Sequence, residues 1–266
     1  AYPGHPAGRQ SGGTPESLAD IGIPALRTAL ERQIHRHGLL VAAAGAITPA
    51  RLAEAMEELF AGQPAGAPPV LPPLPPFRDF GRVVVPVASP QSSVVFGQDG
   101  LAAEDPDWEA AQVALRILAG GGFTSRLMQA VREQRGLAYG IGAGLSVLFR
   151  HGVILGAVAT ENARVAETLA VTREEWARMA ATGATAAELA DAVAFLTGSL
   201  PLQFADTRRT AEGLLAMRQN GRPIGWLAGR PERLRALTTA RIAAVSARLL
   251  KPEALATVVA GEPVGL

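Results

Sequence analysis

A stretch rich in proline and glycine divides the chain and limits how it can fold. Residues 61–77 read AGQPAGAPPVLPPLPPF. Prolines at this density donate no backbone hydrogen bonds and favour an extended polyproline conformation, so neither a helix nor an inner sheet strand can run through them. The stretch predicts a semi-rigid linker between two folded parts. The alternative interpretation is a ligand for a proline-recognition domain.

The composition restricts the class of protein. With 266 residues, 48% of them hydrophobic, the chain can bury a substantial core. The formal net charge is +1 and no run of like charge stands out, so neither nucleic acid nor a membrane surface is expected as a partner. The absence of cysteine excludes disulfides, a thiolate nucleophile and zinc–thiolate sites. No apolar run reaches the roughly 20 residues of a spanning helix, so membrane insertion is not expected.

Capping signals and apolar patterns outline helices and strands on both sides of the linker. The predicted strands cover residues 39–44, 82–87, 92–97, 138–148, 152–160 and 255–260. The predicted helices cover residues 14–37, 48–60, 105–120, 124–136 and 163–181, with further helices from a capping box at 185–188 to residue 250. The first residues show loop chemistry without a signal pattern, so we expect a fragment or a processed product.

A weak internal repeat suggests how the two parts are related. Residues 26–45 align without gaps with residues 242–261, and both give a helix, a break, an apolar strand and a glycine, Gly45 or Gly261. The shared order of elements predicts two related α+β units, of which the first is truncated. The expected division is the end of a first domain at 1–62, a linker at 63–80 and a second domain at 81–266.

No residue pattern predicts a metal centre or a nucleophile. Of the histidines, His35 and His37 fall two apart in a predicted helix and would face different directions. The spacings His-x-x-Glu-His, His-Glu-x-x-His and Gly-x-Ser-x-Gly do not occur. Residues 120–122 are three glycines before a helix and could cradle an anion, but the Gly-Lys-Ser/Thr ending of a nucleotide loop is missing. A nucleotide-binding enzyme that uses these glycines is therefore a minor alternative.

The segment GGGFTSRLMQAVREQRGLAYG, residues 120–140, holds a candidate binding pair. Arg132 falls in the last turn of a predicted helix and Tyr139 at the start of the next strand, so both side chains could project into one space. Arginine offers a planar fork of donors for a carboxylate or a carbonyl, and tyrosine adds a hydroxyl. The alternative is that Arg132 complements the helix C-terminus while Tyr139 packs in the core. On spacing alone this structural alternative is favoured.

The same segment resembles the signature of the C-terminal domain of the M16 metallopeptidases, the family of insulin-degrading enzyme, pitrilysin and mitochondrial processing peptidase. In that family an arginine and a tyrosine seven residues apart grip the backbone or the carboxyl end of the substrate, and Arg132 and Tyr139 match them in type and spacing. The stretches GHPAGRQSGGTPESL, PQSSVVFGQ and ADAVAFLTGSLPLQF also agree. The resemblance covers essentially the whole chain and favours a binding role for the pair.

The resemblance implies α+β domains of the M16 type (LuxS/MPP-like), each an antiparallel-rich sheet packed with helices, and two halves that close around a chamber. The catalytic half of such peptidases carries His-x-x-Glu-His and a distal glutamate, which bind zinc and activate water. Zinc is therefore expected in a partner or in a preceding part, and none in this chain. The preferred interpretation is a non-catalytic subunit that grips extended peptides beside a zinc-bearing M16 subunit in a heterodimeric metalloendopeptidase.

Two further interpretations remain open at this point. The chain is either the C-terminal portion of a self-sufficient M16 zinc peptidase or a purely structural core subunit, as M16-like proteins of respiratory complexes are. The sequence leaves the compartment undefined, and analogy with bacterial relatives favours the periplasm.

Overall fold

The computed structural model describes residues 1–66, 70, 72–148 and 151–266, and within them the chain forms two compact units. Unit 1 comprises Ala1, Pro76–Gly198 and Ile224–Leu266, and unit 2 comprises Tyr2–Pro75 and Ser199–Pro223. Residues 67–69 and 71 of the predicted linker lie outside the described residues. The predicted division at 62, 80 and 81 stays a prediction, and contacts group residues 199–223 with the N-terminal segment.

Helices and strands both occur along the described part of the chain. The strands are β1 (Arg82–Pro86), β2 (Gln91–Ala102), β3 (Ala138–Leu148), β4 (His151–Glu161) and β5 (Ala256–Gly261). The α-helices are α1 (Pro15–Ala19), α2 (Ile23–Gln33), α3 (Pro49–Phe60), α4 (Trp108–Leu115), α5 (Val165–Thr182), α6 (Ala186–Gly198), α7 (Leu200–Gln203), α8 (Thr207–Gln219), α9 (Arg230–Arg235) and α10 (Thr239–Leu249). Two π-helical segments, Arg116–Gly120 and Met128–Glu133, continue the helical path after α4 and before β3.

The sheet of unit 1 is mixed and has the strand order β1-β5-β2-β4-β3. The first strand pairs with the last one in parallel, with Arg82 opposite Thr257, and the other neighbours are antiparallel. Edge positions belong to β1 and β3, so the strand that contains the candidate tyrosine near its start has one open side. This architecture confirms the predicted α+β class with an antiparallel-rich sheet.

The core of unit 1 lies between the sheet and the helices α4, α5 and α10. Phe96 on β2 and Trp176 on α5 are both fully buried and meet edge to face, with ring centroids 6.0 Å apart. The indole N–H of Trp176 donates to Oε1 of Gln98 at 2.8 Å, and Nε2 of Gln98 donates to the Leu249 carbonyl at 2.6 Å. The side-chain amide of Gln98 thus links β2 to α5 and to the end of α10. A buried amide requires hydrogen-bond partners, and these two elements provide them.

Unit 2 is built from helices that leave their apolar side chains largely uncovered. None of the residues of α1, α2 or α3 is buried, and Ile23, Leu26 and Leu30 of α2 are all more than half exposed. The helix predicted over 14–37 is in fact two helices. Pro24 fits the first turn of a helix, where its missing N–H is not needed, so a second helix starts after Gly22.

The strand predicted over residues 39–44 does not form. These residues are not paired with another strand in the described part of the chain, and a strand exists only through hydrogen bonds to a neighbour. The repeat equivalent, β5, lies between β1 and β2. The glycines that end the two repeats nevertheless share an unusual backbone, with φ of 132° at Gly45 and 153° at Gly261.

Neither His35 nor His37 lies in a helix, contrary to the prediction, because α2 already ends at Gln33. Nδ1 of His35 bonds the His37 carbonyl oxygen at 2.7 Å instead. Across the described ranges, no single helix has the length and apolar character to cross a membrane. The segments Asn162–Thr182 and Ala186–Gly198 meet those criteria only together and are bent by 101°.

Candidate functional site

The helix that carries Arg132 begins and ends where the sequence predicts. Ser125 opens it, with its Oγ accepting from the Met128 N–H at 3.4 Å. Gly136, at φ 59°, ends it, and its N–H donates to the Arg132 carbonyl at 2.9 Å. The last turns are π-helical, a geometry that is rare and frequent at functional sites. Arg132 therefore stands in the final turn, facing the strand that follows.

A β-bulge at the start of β3 turns Tyr139 away from the sheet. Ala138 pairs with Thr160 and Ile141 with Val158, so the two residues between them face a single residue of β4. Oγ1 of Thr160 donates to the Leu137 carbonyl at 2.5 Å and fixes the entry of the strand. The side chain of Tyr139 is 85% exposed. It does not pack in the core, so the structural alternative for this residue is wrong.

The structure brings Arg132 and Tyr139 together and adds a third side chain. Cζ of Arg132 lies 4.5 Å from the centroid of the Tyr139 ring and 4.5 Å from that of Phe123. Nε of Arg132 is also 3.4 Å from Oε1 of Glu133. Sequence reasoning identified the arginine and the tyrosine but missed Phe123, whose contact with Arg132 depends on the fold of the glycine turn.

The glycine turn that presents Phe123 is held by hydrogen bonds from side chains. Gln129 Nε2 donates to the Phe123 carbonyl at 2.6 Å, Thr124 Oγ1 to the Gly121 carbonyl at 3.0 Å and Ser125 Oγ to the Gly122 carbonyl at 2.9 Å. Gly122 adopts φ of 60°, a left-handed conformation in which residues with side chains are strained. The turn is thus fixed with the phenylalanine ring 58% exposed.

A groove of about 380 Å³ lies beside Tyr139. It is lined by Gln91, by the segment Gly136–Gly140 and by Ala159–Glu161 at the end of β4. Nη1 of Arg164 donates to the Gly136 carbonyl at 2.9 Å and ties the turn to the region after β4. Tyr139 is therefore part of the groove wall, whereas Arg132 is not among the lining residues.

An ion pair ties the beginning of the arginine-bearing helix to α6. Nε and Nη2 of Arg126 donate to the two carboxylate oxygens of Glu188 at 2.7 and 2.8 Å, and Nη2 also donates to the Gly183 carbonyl. These hydrogen bonds from Arg126, opposed by burial and assisted by those from Thr185, lower the pKa of Glu188 from 4.5 to about 2. The Thr185–Glu188 pair also forms the predicted capping box.

Metal-binding side chains do not cluster in the described ranges. No group of three or more histidines, aspartates or glutamates there could hold an ion. His151 contacts Oδ1 of Asp99 at 2.6 Å, and Nδ1 of His5 accepts from the Ala7 N–H at 3.0 Å. These histidines make separate contacts and do not form a metal ligand set within the described ranges.

Comparison with known proteins agrees with this architecture. A solved M16 peptidase inactive domain from Pseudomonas fluorescens superposes with a TM-score of 0.89 at 26% identity, covering 99% of this chain and 63% of that one. The fold thus defines an α+β protein of the M16 peptidase type, and no cluster of metal ligands occurs among the described residues. The family model described as peptidase M16 inactive domain matches residues 21–196. The chain belongs to this M16 inactive-domain family.

Curated relatives are similar over three quarters of the chain. An uncharacterised zinc protease of Streptomyces coelicolor is 30% identical over 207 residues, covering 75% of this chain and 45% of the relative. An uncharacterised zinc protease of Mycobacterium tuberculosis is 30% identical over 206 residues, covering 76% of this chain and 47% of the relative. The chain therefore spans about half the length of the curated relatives it matches.

Proposed function

We propose that this chain is the non-catalytic part of an M16-type zinc peptidase and that it grips extended peptides through Arg132 and Tyr139. The observation that carries the proposal is the contact between the Arg132 guanidinium and the exposed Tyr139 ring at the open edge of the sheet. An exposed aromatic side chain packed against a guanidinium contributes little to the stability of the fold. It is well suited to bind a ligand that offers both carbonyl oxygens and apolar surface.

The neighbouring strand supports binding of an extended backbone. Tyr139 is the second residue of β3, an edge strand, and three alternate positions that follow it are glycines. A Cβ atom added at Gly140 or Gly144 would meet no atom within 4 Å, so the surface there is bare and open. A peptide can approach such a surface closely and add main-chain hydrogen bonds to a sheet edge. Recognition through backbone groups leaves the side-chain specificity loose.

Hydrolysis is assigned to a zinc-bearing half, whether a second subunit or a preceding part of the same protein. Supporting this assignment, the similar curated proteins are named zinc proteases, and the chain spans about half their length. A zinc ion held in that half would supply an activated water for attack on the scissile carbonyl. The contribution of Arg132 and Tyr139 is to hold the peptide so that one bond stands at the metal.

The N-terminal segment is proposed to be the end of a first M16-type domain. In support, the repeat aligns α2 with α10 and residues 39–44 with residues 255–260, and Gly45 and Gly261 share a positive φ. Leu26 and Leu30, more than half exposed, would then cover a sheet as α10 does. Hydrogen exchange checks this, because amides of residues 39–44 should be protected only when the preceding domain is supplied. Equal exchange with and without that domain would contradict it.

The test of the gripping role is the Arg132→Ala variant in the assembled peptidase. Loss of the fork should lower kcat/KM for peptide cleavage by roughly 10- to 100-fold, the effect of mispositioning a substrate, without loss of assembly by gel filtration. Arg135→Ala removes the same charge from the same helix end and should leave cleavage nearly unchanged. Unaltered kinetics in Arg132→Ala would overturn the assignment. If the Tyr139→Ala variant assembles and cleaves peptides as wild type does, a purely structural subunit would be favoured.

A further inference from the structure

Phe123 contacts the guanidinium of the proposed binding pair. Its ring centroid lies 4.5 Å from Cζ of Arg132, the same distance as that of Tyr139. A cation above an aromatic face is attracted by the ring quadrupole, and guanidinium faces are weakly hydrated. The N–H donors of a guanidinium lie in its plane. The two ring contacts therefore restrict the side chain without using a conventional hydrogen-bond donor, and Nε is already 3.4 Å from Oε1 of Glu133.

The turn around Phe123 keeps this ring at the surface. Its carbonyl accepts from Gln129, and the hydroxyls of Thr124 and Ser125 fix the two preceding glycine carbonyls. The ring is 58% exposed although the chain offers a buried core nearby. A phenylalanine fixed in this way presents apolar surface beside the donors of Arg132. When Arg132 binds a group of a peptide, the neighbouring side chain of that peptide would contact this surface.

The geometry points to Phe123 as a third residue of the peptide-binding site. It has two roles: it orders the guanidinium of Arg132 before the ligand arrives, and it binds an apolar side chain of the peptide next to the group that Arg132 holds. The inference rests on the proposed function and deepens it, because it gives the otherwise loose site a preference for peptides with an aliphatic or aromatic residue at one position.

The expected preference follows from the exposed part of the ring. Covering about half of a phenylalanine side chain with an apolar partner corresponds to roughly five- to tenfold in affinity. Ordering of Arg132 acts on every peptide equally, since a long side chain loses rotamer freedom when it binds. Removal of the ring should therefore weaken all peptides about two- to fivefold and abolish the additional preference for the apolar residue.

The experiment measures binding of labelled peptides to the full chain by fluorescence anisotropy. The probes are twelve-residue, fluorescein-labelled peptides of a Gly/Ser/Lys background, in which a single leucine is moved along the sequence, and the matched peptides with serine at that position. Wild type, Phe123→Ala, Phe123→Tyr and Arg132→Ala are compared. We expect the best leucine peptide to bind wild type about five- to tenfold more tightly than its serine partner, Phe123→Ala to lose this ratio, and Phe123→Tyr to keep it.

The outcomes separate this inference from the proposed function. If wild type binds none of the peptides, both fail. If Arg132→Ala abolishes binding while Phe123→Ala keeps the leucine-to-serine ratio, the gripping role stands and the role of Phe123 is wrong. If Phe123→Tyr is as defective as Phe123→Ala, the ring matters for folding of the turn and not for contact with the ligand, which also overturns the inference.

Discussion

The Arg126–Glu188 ion pair makes a sharp prediction about how the site is held together. The perturbation is Glu188→Gln, which keeps the shape of the side chain and removes its charge. The side chains are 11% and 30% exposed, and the guanidinium donates to both carboxylate oxygens. A shift of the Glu188 pKa from 4.5 to about 2 corresponds to at most roughly 3 kcal/mol. Solvent screening of this partly open pair reduces the expected loss to about 1–2 kcal/mol.

The sign of the pH dependence follows from the direction of the shift. Because the folded-state pKa of Glu188 is below its unfolded value, its stabilisation is fully present above pH 4.5 and is lost as the pH falls towards 2. Glu188→Gln has no such titration. The difference in unfolding free energy between wild type and variant should therefore be constant near pH 7 and should shrink as the pH falls from 4.5.

Urea denaturation between pH 7 and 3 measures this difference. Tryptophan fluorescence is a suitable signal, since Trp108, Trp176 and Trp226 all belong to unit 1. Other carboxylates titrate in both proteins and cancel in the comparison. The control is Glu232→Gln, whose exposed ion pair with Arg235 should contribute less than about 0.5 kcal/mol. A difference at pH 7 that stays the same down to pH 3 would refute the assigned role.

Two predictions concern the core. A Cβ at Gly156 would meet the Phe96 ring at 2.3 Å, so Gly156→Ala should cost about 1–3 kcal/mol. Gly144→Ala, where nothing lies within 4 Å, should change stability by less than about 0.5 kcal/mol; equal losses in urea denaturation would contradict this. Trp176→Phe removes the indole donor to Gln98 and should cost about 1–3 kcal/mol. An unchanged midpoint would show that the buried amide finds another partner.

The parts of the fold that depend on local signals could be predicted from the sequence. The caps at Thr48 and Thr185 and the glycine at position 136 act within one helical turn, and the structure has helix ends at all three. The strand predicted over 39–44 failed because a strand needs neighbours, which an apolar pattern cannot supply. The continuous helix over 14–37 failed because the proline at position 24 was not recognised as a helix start.

For the site, the spacing within one short segment made Arg132 and Tyr139 candidates, and the resemblance to the M16 signature favoured a binding role, while their surroundings required the fold. The bulge that exposes Tyr139 is a matter of register between β3 and β4, and register is a property of two strands. Phe123 reaches Arg132 only through the folded glycine turn. The ion-pair partner of Arg126, Glu188, is 62 positions away in the sequence. The capping box at Thr185 predicts a helix start at that place but not the ion pair.

The pairing of the first strand with the last has a consequence for the time course of synthesis. Arg82 on β1 lies opposite Thr257 on β5 in the parallel pair, and β5 lies between β1 and β2 in the sheet. At ~5–20 residues per second, β1 emerges from the ribosome about 10–35 s before β5, its neighbour in the sheet of the described residues, is made. During that interval the run Val83–Val85 is an unpaired apolar strand. A nascent chain of this kind is a natural client for a chaperone, and a ribosome stalled before β5 leaves a product that cannot close its sheet.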